Sequence, residues 1–338
     1  MINNIQILRG LAALWVVFHH SLGHFKAMGL SFLPFEWLAA YGYVGVDVFF
    51  VISGLVMAKT TNDIHTGKRV GLLFLSKRYL RIYAGYWPIL ILTIMFMLAL
   101  DPEILMNKNI VGSVFLISTD MFELIIAPSW SLPFELYFYF LIGLLLFFSI
   151  KNIHRSFLIL ILLIIIKLST IDFGKSLLLD LLFSHMIFEF LFGYYLWLYR
   201  DKFISLSAAF WVIVAVVSFF LGGYYELVGT VWRVVSYGVF SWSIVVIALK
   251  YEGHLYQGLV KLLKPLGDAS YTLYLLHFVM FFIFFQLGIR TFMVNSNFAG
   301  IGFVAYILFI VLTSYLLYYF IEKPLYTWCT RNIKPEKV

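Results

Sequence analysis

The sequence predicts an all-α, polytopic helical membrane protein with about ten transmembrane helices, and three observations support this. Of its 338 residues, 63% are hydrophobic and only 12% are charged, whereas a soluble domain is roughly 45–50% apolar and about 25% charged. The mean hydropathy is +0.96, and no compact soluble fold buries so much apolar surface. Runs such as 158–166 are continuously apolar, which excludes the alternating pattern of a transmembrane β-barrel.

Each predicted span is a stretch of about 20 mostly apolar residues, the length that crosses a bilayer. The segment 104–127 is apolar but interrupted by charged residues, so we expect an outer loop with an interfacial helix there. The predicted spans are 5–24, 41–59, 82–100, 130–149, 155–172, 178–199, 203–222, 231–249, 268–287 and 300–321.

The charged residues indicate the orientation and exclude some functions. Most of the 24 Lys and Arg residues fall in loops on one side of this layout, and the positive-inside rule makes that side, with both termini, cytoplasmic. The net charge of +7 then reflects loop composition, so we expect no nucleic-acid partner. The single cysteine, Cys329, excludes intrachain disulfides, and we predict no metal site.

Two ionisable residues in the first span are functional candidates. An ionisable side chain inside a bilayer costs roughly 2.5–3.5 kcal/mol on insertion scales. Arg9 and His20 are separated by three helical turns with little angular drift, so they share one face of the helix. The alternative for Arg9 is a cytoplasmic anchor. The alternative for His20 is a buried, hydrogen-bonded histidine without a catalytic role.

Two carboxylates fall at a similar depth to His20. Asp47 in the second span and Glu135 in the fourth both enter from the outer side, so all three side chains are predicted in the outer half of the membrane. Two carboxylates and an imidazole at one level are typical of acid–base chemistry. Equal depth does not establish contact, and Asp47 could instead orient a neighbouring helix.

A basic cluster precedes the third span. Arg78 and Arg81 are spaced i,i+3 and can present two guanidinium groups to one anion, with Lys77 beside them. Positive-inside anchoring or contact with lipid headgroups is the alternative.

Polar-tipped side chains also mark the start of the fourth span and one face of the ninth. The tyrosines and the histidine of the ninth span recur at i,i+3 spacing, which suits either a cavity wall or links between helices. The residues predicted to line a cavity are Trp130, Ser131, Tyr271, Tyr274 and His277.

Six short groups of residues occur in an order that matches one family. They are Leu8–Gly10 with Val17–His20, Gly45–Asp47 with Phe49–Gly54, Arg78–Ile82, Trp130–Leu132 with Glu135 and Phe138–Tyr139, Ser270–Tyr271 with Leu273–Leu275 and His277, and Glu322–Pro324. Together they resemble acyltransferase family 3, polytopic bacterial enzymes that O-acylate cell-surface polysaccharides. The groups cover the chain nearly end to end.

The resemblance implies a single transmembrane acyltransferase domain over residues 1–338, in the bacterial inner membrane, without the soluble esterase-like extension that some relatives carry. It implies an Arg followed eleven residues later by a His, which Arg9 and His20 match. It also implies an Arg-x-x-Arg pair that helps to bind acyl-CoA, which Arg78 and Arg81 match.

The mechanism that we expect from these residues begins with acetyl-CoA docking from the cytoplasm. His20 would take the proton of the acceptor hydroxyl while Asp47 or Glu135 orients its ring, although an acyl-histidine intermediate is equally compatible. Acetyl-CoA is a substrate, and no permanently bound cofactor is expected. The residues expected to bind the donor are Arg9, Lys77, Arg78 and Arg81.

The expected acceptor is a hydroxyl of a cell-surface polysaccharide or of its lipid-linked oligosaccharide precursor, and the expected surroundings are the lipid bilayer. A transporter or flippase of a lipid-linked sugar also places ionisable residues near the membrane midplane. A third possibility is a non-catalytic partner of a polysaccharide export complex. The sequence leaves the oligomeric state open.

Overall fold

The computed structural model describes residues 2–62, 66–149, 153–170, 181–289, 294, 298–331 and 333, with side chains within 153–170 only at 156–166. All regular structure in these ranges is helical, which confirms the predicted all-α class. Short 3-10 segments lie at Gly42–Val44, Ala127–Ser131 and Leu227–Gly229, and π segments at Val234–Gly238 and Tyr318–Glu322. The α-helices are α1 (Asn3–Ala27), α2 (Leu33–Ala40), α3 (Gly45–Thr61), α4 (Lys68–Leu100), α5 (Glu103–Met106), α6 (Ile110–Phe115), α7 (Leu132–Phe147), α8 (Ile153–Thr170), α9 (Ile187–Leu198), α10 (Arg200–Ser205), α11 (Ala208–Tyr224), α12 (Val239–Lys250), α13 (Gln257–Asp268), α14 (Ser270–Gln286), α15 (Ala299–Leu317) and α16 (Lys323–Thr330).

Several of these helices are long and apolar enough to cross a membrane, which indicates a multi-pass membrane protein. Within the described ranges, five helices meet that test alone, and α13 with α14 meets it as a pair bent by 59°. Each of the ten predicted stretches overlaps a described helix, but four of those helices are apolar segments with fewer described residues than a candidate membrane span needs. The predicted stretches 155–172 and 178–199 lie partly outside the described residues. Ten spans and cytoplasmic termini therefore stay predictions.

Helix α3 lies at the centre of the helical assembly. Of its apolar window, 72% is buried, compared with 22% for the last span. Glycines allow its backbone to approach α9 closely: a Cβ atom on Gly54 would lie 1.8 Å from the Phe190 carbonyl oxygen, and one on Gly193 would lie 1.7 Å from that of Val51. Small residues play this role wherever helices pack backbone to backbone in membranes. This close packing holds α3, and with it the polar residues Asp47 and Ser53, in a defined position.

Two other features of the fold place charged residues. Helix α4 has 33 residues, so the basic cluster predicted before the third span lies inside a helix that continues into the span. The bend between α13 and α14 lies against α1, because a Cβ atom on Gly10 would be 2.7 Å from the Gly267 nitrogen. Arg9 is thereby held near the start of α14.

A carboxylate in α2 holds the segment between α1 and α3. Glu36 in α2 pairs with Lys26 at 3.3 Å and accepts hydrogen bonds from the Ser31 hydroxyl and the Phe32 N–H, both at 3.2 Å. Burial acts to raise the pKa of the Glu36 carboxyl, but these three donors outweigh it and hold the pKa below its usual range. The segment is therefore held best while Glu36 is ionised.

Candidate active site

A cavity with about 820 Å³ of space free of protein atoms, part of it open to solvent, lies among α1, α3, α4, α7 and α14. The space within it that the centre of a water-sized sphere can reach is about 110 Å³. Its wall combines apolar side chains, most of them from α3, with charged and hydroxyl-bearing side chains. The predicted site residues that line it are Arg9, Arg78, Arg81, Ser131, Glu135, Tyr271 and Tyr274.

Arg78 enters the cavity with few polar partners. Its Nη2 donates a hydrogen bond to the Thr60 hydroxyl at 2.9 Å, and its guanidinium lies 5.5 Å from the ring of Phe74 and 5.8 Å from that of Tyr139. No carboxylate among the described residues pairs with it. Lys77, one residue earlier, does not line the cavity, so the structure separates it from the other predicted donor ligands.

The charge of Arg81, in contrast, is balanced by a carboxylate. Its Nη1 lies 2.5 Å from Oε1 of Glu322, which is 3% exposed. The Glu322 carboxylate also accepts a hydrogen bond from the Thr272 hydroxyl. Glu322 belongs to one of the groups of residues that match the family, but the sequence alone predicted no role for it. The signal available in the sequence was a carboxylate directly after the predicted stretch 300–321.

Arg9 is the guanidinium with the fewest contacts at this site. It is half-buried and lines the cavity, with Arg81 and Glu135 among its charged neighbours. Across the described part of the chain, no side chain forms a hydrogen bond or ion pair with it. Removing a cation from water, even in part, is costly when no direct partner compensates its charge, so this position suits a bound anion.

Glu135 is held by hydroxyl groups. It accepts hydrogen bonds from Ser53 at 2.9 Å and from Tyr139, and it does not contact His20. Trp130, predicted beside it, packs against Phe134 with ring centroids 6.1 Å apart and does not line the cavity.

The tyrosines of α14 are fixed by polar bonds. Tyr271 donates to the Ile82 carbonyl at 3.0 Å, and Tyr274 donates to the Pro128 carbonyl at 2.6 Å. The hydroxyls of Tyr274 and Ser131 are 2.9 Å apart. The bond of Tyr271 joins α14 to α4, and those of Tyr274 join α14 to the 3-10 segment before α7.

His20 lies beside the cavity rather than in its wall. The His20 side chain is exposed, and its Nδ1 is 3.1 Å from the Val16 carbonyl oxygen and 3.1 Å from Nε2 of His277. His277 is completely buried and lies one helical turn beyond Tyr274, with 6.3 Å between the two ring centroids. The imidazole pair therefore adjoins the cavity through Tyr274.

Asp47 has a different partner from the one expected. Its two carboxylate oxygens accept hydrogen bonds from Nε and Nη2 of Arg233 at 2.9 and 2.7 Å, and both residues are buried. Glu189 lies beside this pair. The described contacts give neither Asp47 nor Glu135 a direct path to the His20 ring, so their catalytic roles stay predictions. The sequence predicted no role for Arg233, although the structure pairs it with Asp47.

The fold and cavity define a multi-pass membrane protein with a cationic cavity among its helices. A family model described as an acyltransferase domain matches residues 2–319, which is essentially the whole chain. The chain therefore belongs to acyltransferase family 3, which confirms the resemblance, and it is an acyltransferase. No match was found among curated proteins or among solved structures.

Proposed function

We propose that this acyltransferase moves an acetyl group from cytoplasmic acetyl-CoA to a hydroxyl of a cell-surface polysaccharide, or of its lipid-linked precursor, in the bacterial inner membrane. One observation carries this proposal. A single cavity is lined by three guanidinium groups and also by Tyr274. His277, one helical turn beyond Tyr274, contacts His20.

The arginines suit the phosphates of coenzyme A. Guanidinium groups bind phosphate through paired N–H donors. Arg9 has no described hydrogen-bond partner and Arg78 bonds only a hydroxyl, so both can be redirected to a ligand. Arg81 is already paired with Glu322, and we assign it a positioning role at the cavity wall.

The remaining wall suits the rest of the donor. The apolar face of α3, including Phe49 and Val56, borders the same space and would contact the narrow pantetheine arm. His20 does not line the cavity, so transfer requires the thioester to pass the Tyr274 ring. Charged coenzyme A would thus stay on one side while its acyl group reaches the other.

In the chemical step, His20 acts as the general base. Its Nε2 takes the proton of the acceptor hydroxyl as that oxygen attacks the thioester carbonyl. The new C–O ester bond forms, the C–S bond breaks, and the proton passes to the thiolate, which leaves as coenzyme A. In the alternative with an acyl-His20 intermediate, labelled acetyl-CoA alone would leave label on the protein.

The test compares surface polysaccharide from cells carrying the wild-type gene, no gene, or the His20→Ala variant. Mass spectrometry should detect the acetyl mass difference only with the wild type. His19→Asn is the matched control, because an asparagine amide can replace the contact of His19 Nδ1 with the Ala39 carbonyl at 3.0 Å. Normal acetylation by His20→Ala would contradict the proposal. A transporter would leave labelled acetyl-CoA intact in proteoliposomes.

A further inference from the structure

We propose that His277 is the positioning residue of the catalytic imidazole. Its Nε2 accepts a hydrogen bond from the Nδ1–H of His20, and this bond fills the place that the sequence analysis gave to a carboxylate. The inference rests on the proposed function, because it assumes that His20 is the base.

The hydrogen positions follow from the partners of His277. Its Nδ1 lies 3.1 Å from the Leu273 carbonyl oxygen, and a carbonyl can only accept, so Nδ1 carries the hydrogen. A neutral imidazole has one ring hydrogen, which leaves a lone pair on Nε2. His277 is completely buried, and no carboxylate among the described residues forms an ion pair with it. A charged ring there would be uncompensated.

The same logic fixes His20. Its Nδ1 faces two acceptors, the Val16 carbonyl oxygen and the lone pair of His277 Nε2, each at 3.1 Å. His20 Nδ1 must therefore carry the hydrogen, and the two acceptors share it. The lone pair of His20 is then on Nε2, which bonds no described residue and belongs to an exposed side chain. The pair holds His20 in the tautomer that a general base requires.

The bond also stabilises the protonated state of His20. When Nε2 accepts a proton, the Nδ1–H donor becomes part of an imidazolium, and its bond to His277 becomes charge-assisted and stronger. The candidate carboxylates are engaged elsewhere, Asp47 with Arg233 and Glu135 with Ser53 and Tyr139. A neutral acceptor suits this environment, because burying it avoids the desolvation of a second charge.

Two variants separate positioning from packing. Glutamine at position 277 carries an amide oxygen that can reach the place of Nε2 and accept from His20, whereas leucine fills the space without an acceptor. We expect His277→Leu to lower kcat about 10- to 100-fold, the usual effect of losing a residue that orients a catalytic or ligating group, with KM for acetyl-CoA changed less than about twofold. His277→Gln should recover most of kcat. The assay is transfer from labelled acetyl-CoA by purified protein, with the thermal unfolding midpoint measured for each variant.

The outcomes distinguish the inference from the proposed function. If His20→Ala remains active, the assignment of the base fails, whatever His277 does. If His20→Ala is inactive while folded His277→Leu keeps wild-type kcat, the positioning role alone is overturned. Spectra of protein labelled with ¹⁵N-histidine in nanodiscs give a readout independent of activity. The neutral rings of His20 and His277 should each show hydrogen on Nδ1 and none on Nε2. Hydrogen on Nε2 of either neutral ring would overturn the inference.

Discussion

The ion pair between Asp47 and Arg233 gives a prediction that separates structural support from catalysis. Both side chains are at most 7% exposed and are joined by two hydrogen bonds of 2.9 and 2.7 Å. Asp47→Ala leaves the guanidinium buried and without this partner, and breaking a buried pair costs about 3–5 kcal/mol. Glu189 adjoins the pair and interacts electrostatically with both Asp47 and Arg233. Glu189 can partly replace Asp47 as the partner of Arg233. We therefore expect Asp47→Ala to lower the free energy of unfolding by about 3 kcal/mol, the lower end of that range.

The assay is a double-mutant cycle of Asp47→Ala, Arg233→Ala and the double variant, with unfolding followed in detergent. Because the double variant removes both charges, it should be less destabilised than the sum of the single variants, with a coupling of about 1–3 kcal/mol. Asp201→Ala is the control. Its pair with Arg200 spans 3.7 Å and Asp201 is 83% exposed, so it should cost less than about 1 kcal/mol.

Additive effects, within about 0.5 kcal/mol, would refute the claim that these two side chains stabilise the fold as a pair. Acetyl transfer by the double variant gives a second readout. A folded and active double variant would confine Asp47 to a structural role. A folded but inactive one would restore the role in chemistry that the sequence analysis predicted.

Three further predictions concern the packing of α3 against α9, the arginines of the cavity, and the segment between α1 and α3. The methyl group added by Gly54→Ala would lie 1.8 Å from a carbonyl oxygen, so this variant should destabilise the fold by about 1–3 kcal/mol. Gly23→Ala is the control. Its added methyl group would have no atom within 4 Å, so the variant should lower the unfolding midpoint little or not at all. Arg78→Ala should raise KM for acetyl-CoA about 10-fold through the loss of a charge-assisted phosphate contact, and Lys77→Ala should leave KM nearly unchanged; equal effects would contradict the assignment of Arg78. Because the folded-state pKa of Glu36 is lowered, its stabilising contribution is present above the usual pKa of a carboxyl and is lost as pH falls through the folded-state value. The difference in Tm between wild type and Glu36→Gln should therefore vanish in acid, and a constant difference would contradict this.

The sequence was most informative where the signal is local. An apolar stretch of membrane-crossing length is a property of neighbouring residues, so each predicted span overlaps a described helix. The length of α4 was missed, because polar residues such as Lys68 continue a helix beyond the apolar window that marked its span. The bend at Ala269 was missed for a similar reason: an apolar count does not register a change of helix direction.

Contacts between helices were harder to predict. Depth placed His20, Asp47 and Glu135 at one level, but the partner of each depends on how every helix is rotated and which helix lies next to it. The structure turns Asp47 toward Arg233 and brings His277 to His20. The stripe that contains His277 was recognised from its spacing, yet spacing within one helix cannot identify the facing helix.

The most direct measurement is protection of the cavity wall by acetyl-CoA. A cysteine introduced by Val56→Cys, in a Cys329→Ser background, would line the arginine cavity, whereas one introduced by Val111→Cys would lie on α6, where Val111 is 61% exposed. Acetyl-CoA should slow the reaction of a small thiol reagent at position 56 but not at position 111, and Arg78→Ala should raise the concentration needed. Equal labelling at position 56 with and without saturating acetyl-CoA would show that the donor does not bind in this cavity.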